Sequence, residues 1–218
     1  MSYRTIKNDG ECELNIKKSR FICQVFRIES EEAAREKLVQ VKKQHYKATH
    51  NCSAFTLGLK QEVQRFSDDG EPSGTAGLPM LEVLKKLEIV NCLAVVTRYF
   101  GGVKLGSGGL IRAYGNAVNE AIHTVGIVEN ILMRQVKLTL SYNHYNLLEN
   151  FSRTNHYTLE NIQFTENVSA DIYIDESQAS QLLLALTELF NAQIDITLGE
   201  VIYREIDKKE TTENCNLS

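Results

Sequence analysis

Apolar positions along the chain switch repeatedly between a period of two and a period near 3.6. Residues 14–28 alternate loosely, with Phe21, Cys23 and Val25 against Ile22, Phe26 and Ile28, which predicts a strand. Ser30 then precedes EEAAREKLVQVKK, where Ala34, Leu38 and Val41 make one apolar stripe. Glu31 and Glu32 at its start and Lys42 and Lys43 at its end suit a helix dipole, so a helix is predicted. Residues 52–59 predict a strand turning at Gly58, with Val63–Phe66 as its partner. After SDDGEPSGTAG, the residues Met80, Leu81, Leu84 and Leu87 give a helix its buried stripe. Ser73 or Thr75 is its expected cap, and Pro79 must lie in its first turn. Residues 89–97, IVNCLAVVT, are apolar except at Asn91 and Thr97, the mark of a central strand covered on both faces. From about Leu110 to Val125 the pattern is two-faced. Leu110, Ala113, Tyr114, Ala117, Val118, Ala121 and Ile122 are expected inside, with Arg112, Asn116, Asn119 and His123 on a polar face and Gly126 as the stop.

The texture changes after Leu132. MRQVKLTLSY alternates as a strand through Val136, Leu138, Leu140 and Tyr142. NHYNLLENFSRTN follows as a helix on Tyr145, Leu148 and Phe151. YTLENIQF and VSADIYIDES predict a hairpin turning at Glu166–Asn167. Ser177 precedes a second helix, QASQLLLALTELF, and AQIDITLGEVIYREI closes with a strand. The order β-α-β-β-α-β matches a ferredoxin-like split βαβ. The expectation is an α/β (α+β) chain with a first domain over 1–130, a ferredoxin-like domain over 134–205 and a polar tail over 206–218.

Charge sharpens that division. Residues 1–133 hold 18 Lys+Arg against 15 Asp+Glu, a net of +3, whereas 134–205 hold 4 against 10, a net of −6. Only the first part is suited to face an anionic surface. The 5 cysteines are scattered, odd in number and without CxxC, which points to reduced thiols and a cytoplasmic location. No apolar run is long enough to span a membrane, and the N-terminus has no signal core.

Candidate chemistry concentrates in residues 65–115. Five glycines, Gly101, Gly102, Gly106, Gly108 and Gly109, follow the strand that ends at Arg98. So many glycines demand either unusual backbone or close approach by something else. The segment is neither a Walker loop nor a GxGxxG fingerprint. Lys104 within it and Arg112 one turn on can meet phosphate, as can Arg98 and a basic loop containing Lys43, His45, Lys47 and His50. A helix start behind glycines offers free N–H groups to an anion, but Asp68, Asp69 and Glu71 stand just before one such start and can occupy it themselves. Those carboxylates are also the weak catalytic candidates, acting with Arg98 or Lys104 on a small anionic substrate. A Cys52–His50 nucleophile pair is geometrically conceivable. His45, His50 and Cys52 follow no recognised zinc spacing, so no metal and no cofactor is expected.

The run from Gly77 to Gly106, GLPMLEVLKKLEIVNCLAVVTRYFGGVKLG, with SDDGEPSGTAG before it and GGLIRAYG after it, resembles the signature of the YigZ/IMPACT family. KKQHYKATHNCSAF resembles that family's upstream motif, so the likeness spans 1–130, with 134–205 similar to the companion domain of two-domain bacterial members. The resemblance implies a first domain like the second domain of ribosomal protein S5 and a second like the last domain of elongation factor G. Eukaryotic members regulate translation by competing for the activator of a starvation-responsive kinase. What carries over is an association with translation, so the expectation is a regulator binding RNA or a ribosome-associated partner through the first domain. The alternatives are an enzyme acting on a small anionic substrate between Asp68/Asp69 and Arg98/Lys104, and a pure protein–protein competitor.

Overall fold

A computed structural model describes residues 2–207, which form two compact units, Tyr3–Glu129 and Asn130–Glu205. The fold is mixed α/β, with a β-sheet in each unit.

In the first unit the sheet order is β2 (Gly10–Ile16), β3 (Ser19–Arg27), β6 (Cys92–Tyr99), β4 (His50–Leu57) and β5 (Val63–Ser67), every pair antiparallel. Strand β6 is central, as its continuous apolar run predicts. Its Cys92, Ala94 and Val96 face the main core with α2 (Gly77–Lys86) and α3 (Ser107–Val125). Its Leu93 and Val95 face the opposite layer with Ala34 and Val41 of α1 (Glu31–Gln44). Ser30 caps α1 by accepting from Ala33 N at 3.1 Å. The buried face of α3 is the set its periodicity predicts, Leu110 to Ile122, and Gly126 stops it with φ +83°. β1 (Ser2–Ile6) is an element that the pattern does not announce; Val90 N donates to Arg4 O and Lys7 N to Gly126 O.

The stretch predicted as one strand over 14–28 is two strands. The chain reverses at Lys17 and Lys18, with φ +46° and +68°, between paired Ile16 and Ser19. A hairpin of this type favours Asn-Gly, and two lysines hide it from the sequence.

In the second unit β10 (Asp195–Asp207), β7 (Ile127–Leu140), β9 (Val168–Asp175) and β8 (Leu159–Phe164) lie side by side in that order. Helices α4 (Tyr142–Thr154) and α5 (Ala179–Leu189) supply Leu148, Leu182 and Leu186 to the core against Val136, Leu138 and Ile172. Tyr142, expected in the strand, instead opens α4 and is half exposed. Asp175 caps the turn before α5, accepting from Ser177 N at 2.8 Å. Of the expected tail, 206–207 extend β10, and 208–218, with Cys215, lie outside the described residues.

Candidate functional site

Four segments meet at one end of the first sheet, because β3 and β4 begin there and β5 and β6 end there. They are the Lys17–Lys18 turn, the loop after α1, the acidic segment 68–76 and the glycine segment 100–106. Each is fixed by a specific contact.

The acidic segment is turned inward. Asp68 Oδ1 accepts from Ala76 N at 3.1 Å and Gly77 N at 2.8 Å, and its Oδ2 accepts from Gly74 N at 2.9 Å. It therefore fills the α2 N-terminus that an external anion would need, and it does the capping expected of Ser73 or Thr75. Thr75 instead donates to Pro72 O, at 2.6 Å. We expect Asp68→Ala to destabilise the first unit by about 2–3 kcal/mol, since the donors around it are stranded. Urea unfolding measures this, and a loss under about 0.5 kcal/mol would show the cap to be dispensable. Asp69 Oδ2 accepts from Asn51 N at 2.7 Å while its Oδ1 pairs with Lys42 at 2.8 Å.

Glu71 lies deepest. Its Oε1 accepts from Arg98 Nη1 at 2.6 Å and from the Tyr114 hydroxyl at 2.7 Å, with Glu71 and Arg98 side chains 4% and 6% exposed. Arg98 also stands over the rings of Phe21 and Phe100. The expectation of a solvent-facing Arg98 at phosphate is thus corrected: alternation along β6 sends it to the α3 side with Ala94 and Val96, where Glu71 neutralises it. Arg98 Nε has no hydrogen-bond partner among the described residues. Asp68 and the two Arg98 amino groups are nevertheless engaged internally, so an anionic-substrate cleft built from Asp68, Arg98 and Lys104 does not assemble. His50 Nδ1 meets Asp69 O at 2.9 Å, so that nitrogen carries the proton, and Nε2 lies 3.8 Å from Glu71 Oε2. Cys52 shares this side, as their spacing on a strand requires. Its thiol donates to Asp68 O at 3.0 Å, and burial pushes its pKa up to about 12. A thiol so protonated is no nucleophile at neutral pH. Burial first, and then Cys52 and Glu71, push the Tyr114 phenol far above its usual range.

We expect Cys52 to resist iodoacetamide in the folded protein and to react once unfolded, followed by mass spectrometry of the modified peptide. Rapid labelling of native protein would mean that the segment 68–76 opens.

The glycine segment divides in two. A Cβ on Gly101 would sit 1.9 Å from Lys18 O and 2.0 Å from Lys18 C, so this glycine lets the β2–β3 turn lie against β6. Gly102 has φ +84°. Above Gly106 and Gly108, by contrast, nothing lies within 4 Å. Gly106 caps α3 with no side-chain hydrogen bond. Gly109 has only Leu105 near the position of a Cβ.

The remaining predicted residues are exposed. Lys104 and Lys47 face solvent, Lys47 standing 5.5 Å from the centre of the Tyr46 ring. Arg112 is exposed too, but the structure places it along α3 with Asn116 and Asn119, facing α2. His45 bonds the Tyr99 hydroxyl at 2.9 Å. Sequence reasoning missed Lys17, Lys18, Tyr46 and Phe100, the last two 74% and 46% exposed. Apolar rings beside glycines and lysines were the available signal.

Comparison with known proteins agrees on one relationship. Residues 17–122 match the Impact N-terminal domain, and residues 138–193 match a domain of unknown function (DUF1949). The chain is 48% identical over 204 residues to the IMPACT family member YvyE of Bacillus subtilis, covering 94% of each chain. It is 35% identical over 191 residues to an IMPACT family member of Haemophilus influenzae, covering 87% of this chain and 93% of that one. It is also similar to a crystal structure described as that of a hypothetical protein, with 29% identity, a TM-score of 0.58, and coverage of 91% and 98%. The chain belongs to the IMPACT family.

Proposed function

We propose that the protein is a cytoplasmic, translation-associated regulator that binds RNA, alone or on the ribosome, through the loop end of the first sheet. The observation that carries this reading is the charge left at that end once internal pairing is complete. Asp68, Asp69 and Glu71 are all engaged within the fold. Lys17, Lys18, Lys43, Lys47 and Lys104 are exposed and have no ion pair among the described residues. Tyr46 and Phe100 stand exposed among them. Ammonium groups for phosphate and open rings for unpaired bases are the two components of single-strand recognition. The space above Gly106 and Gly108 leaves the start of α3 open to a phosphate group.

Fold likeness supports the same reading. The strand order β10-β7-β9-β8 with two helices suits a ferredoxin-like domain akin to the last domain of elongation factor G. The first unit suits the second domain of ribosomal protein S5.

The test is anisotropy of a fluorescent RNA carrying an unpaired loop, at two salt concentrations. The variant is Lys17→Asn, Lys18→Gly, Lys104→Ala, because Asn-Gly suits the positive φ values of that turn. Wild-type binding should weaken with salt, and the variant should lose roughly 2 from the log–log slope while melting no lower. Gly108→Ala should also weaken binding, although it suits a helix better. Absence of RNA binding by folded wild type would overturn the proposal.

A further inference from the structure

The outer surface of the first unit carries a second feature that the RNA reading does not use. Between α2 and α3 runs an open groove of about 590 Å3. Its α2 wall is Leu78 and Pro79, then Glu82 and Val83, then Lys86 and Leu87. Its α3 wall is Ile111 and Arg112, then Gly115 and Asn116, then Asn119. Both walls thus repeat every four residues for three turns, a length of about 13 Å. Leu78 and Ile111 are 40% and 43% exposed. Gly115 lies at the middle turn, where a Cβ would meet only Val83, so the floor is lowest halfway along.

We infer that this groove docks a three-turn amphipathic helix of a partner protein, with acidic residues flanking its apolar face. Ridges spaced four residues apart on both walls are the complement of another helix's side-chain rows. The shallow point at Gly115 receives a large apolar side chain from the middle turn of that helix. The sign of its charge follows from the rim. Glu82 is already paired with Lys85 at 2.9 Å, whereas Lys86 and Arg112 are exposed and form no ion pair among the described residues. The lining holds no aromatic ring to stack a base, which separates this surface from the loop end of the sheet.

The experiment uses the full chain and two fluorescein-labelled, stapled helical peptides with Leu at positions i, i+4 and i+7. One carries flanking Glu and the other flanking Lys. The acidic peptide is expected to bind at least about tenfold more tightly than the basic one. Ile111→Glu should weaken it by about tenfold or more with an unchanged melting temperature, because Ile111 is partly in solvent. Lys86→Glu, Arg112→Glu should reverse the preference between peptides, an outcome that mere loss of structure does not produce. The inference is overturned if neither peptide binds, if both bind equally, or if acidic binding survives Ile111→Glu. A parallel titration with 1-anilinonaphthalene-8-sulfonate covers the remaining case. An Ile111-dependent signal from that dye without acidic-peptide binding would overturn the helix in favour of a small anionic amphiphile.

Discussion

Arg98→Met is expected to lower the stability of the first unit by about 3–5 kcal/mol, among the largest effects of any single substitution in the chain. The guanidinium it removes is the main partner of a carboxylate that is 4% exposed. Without it, Glu71 keeps the Tyr114 hydroxyl and has His50 Nε2 only at 3.8 Å, so its charge is poorly compensated in a low-dielectric interior. Glu71→Leu alone should cost a similar amount by stranding Arg98. The double variant should recover much of the loss, because a buried pair gains little over apolar groups of the same volume. Urea unfolding of the four proteins gives the coupling directly. Additive single effects would mean that the pair does not act as a unit. The consequence reaches beyond stability, since Glu71 ties the segment 68–76 to β6 and α3.

Gly101→Ala is the second large effect. The new Cβ would fall 1.9 Å from Lys18 O and 2.0 Å from Lys18 C, both backbone atoms, so no side chain can turn aside. Either the β2–β3 turn or the end of β6 must move, at about 3 kcal/mol or more. Gly108→Ala makes the control. It has open space within 4 Å and lies in the first turn of α3, so it should stabilise by about 0.5–1 kcal/mol. Thermal melts of the two variants should move in opposite directions. A Gly101→Ala protein melting with wild type would show that the turn and β6 are not in this contact.

The fold was legible where one local period governed it. The buried face of α3 could be read residue by residue, and β6 declared its central place through an unbroken apolar run. Legibility failed where the deciding partner was remote or the local cue was missing. Lys17 and Lys18 adopt positive φ without the Asn or Gly that announces such a turn. The cap of α2 comes from Asp68 and not from the nearer Ser73 or Thr75, because the intervening loop folds back on itself. Arg98 was recognisable as a special residue, but its direction was not. Its partner Glu71 lies 27 positions away and meets it only across the packed layer between sheet and helices. Lys104 and Arg112 are close in sequence, yet one sits on the glycine segment and the other walls a groove.

The pairing of β6 also dictates an order of assembly. The hairpins β2–β3 and β4–β5 are local and can form as soon as each is synthesised. Neither can join the other, because β6 must lie between them, with Arg20 opposite Tyr99 and His50 opposite Arg98. At roughly 5–20 residues per second, a growing chain spends seconds with two hairpins whose inner edges are unpaired. During that interval the free edges of β3 and β4 are open to wrong pairing, and the late arrival of β6 sets the pace of folding.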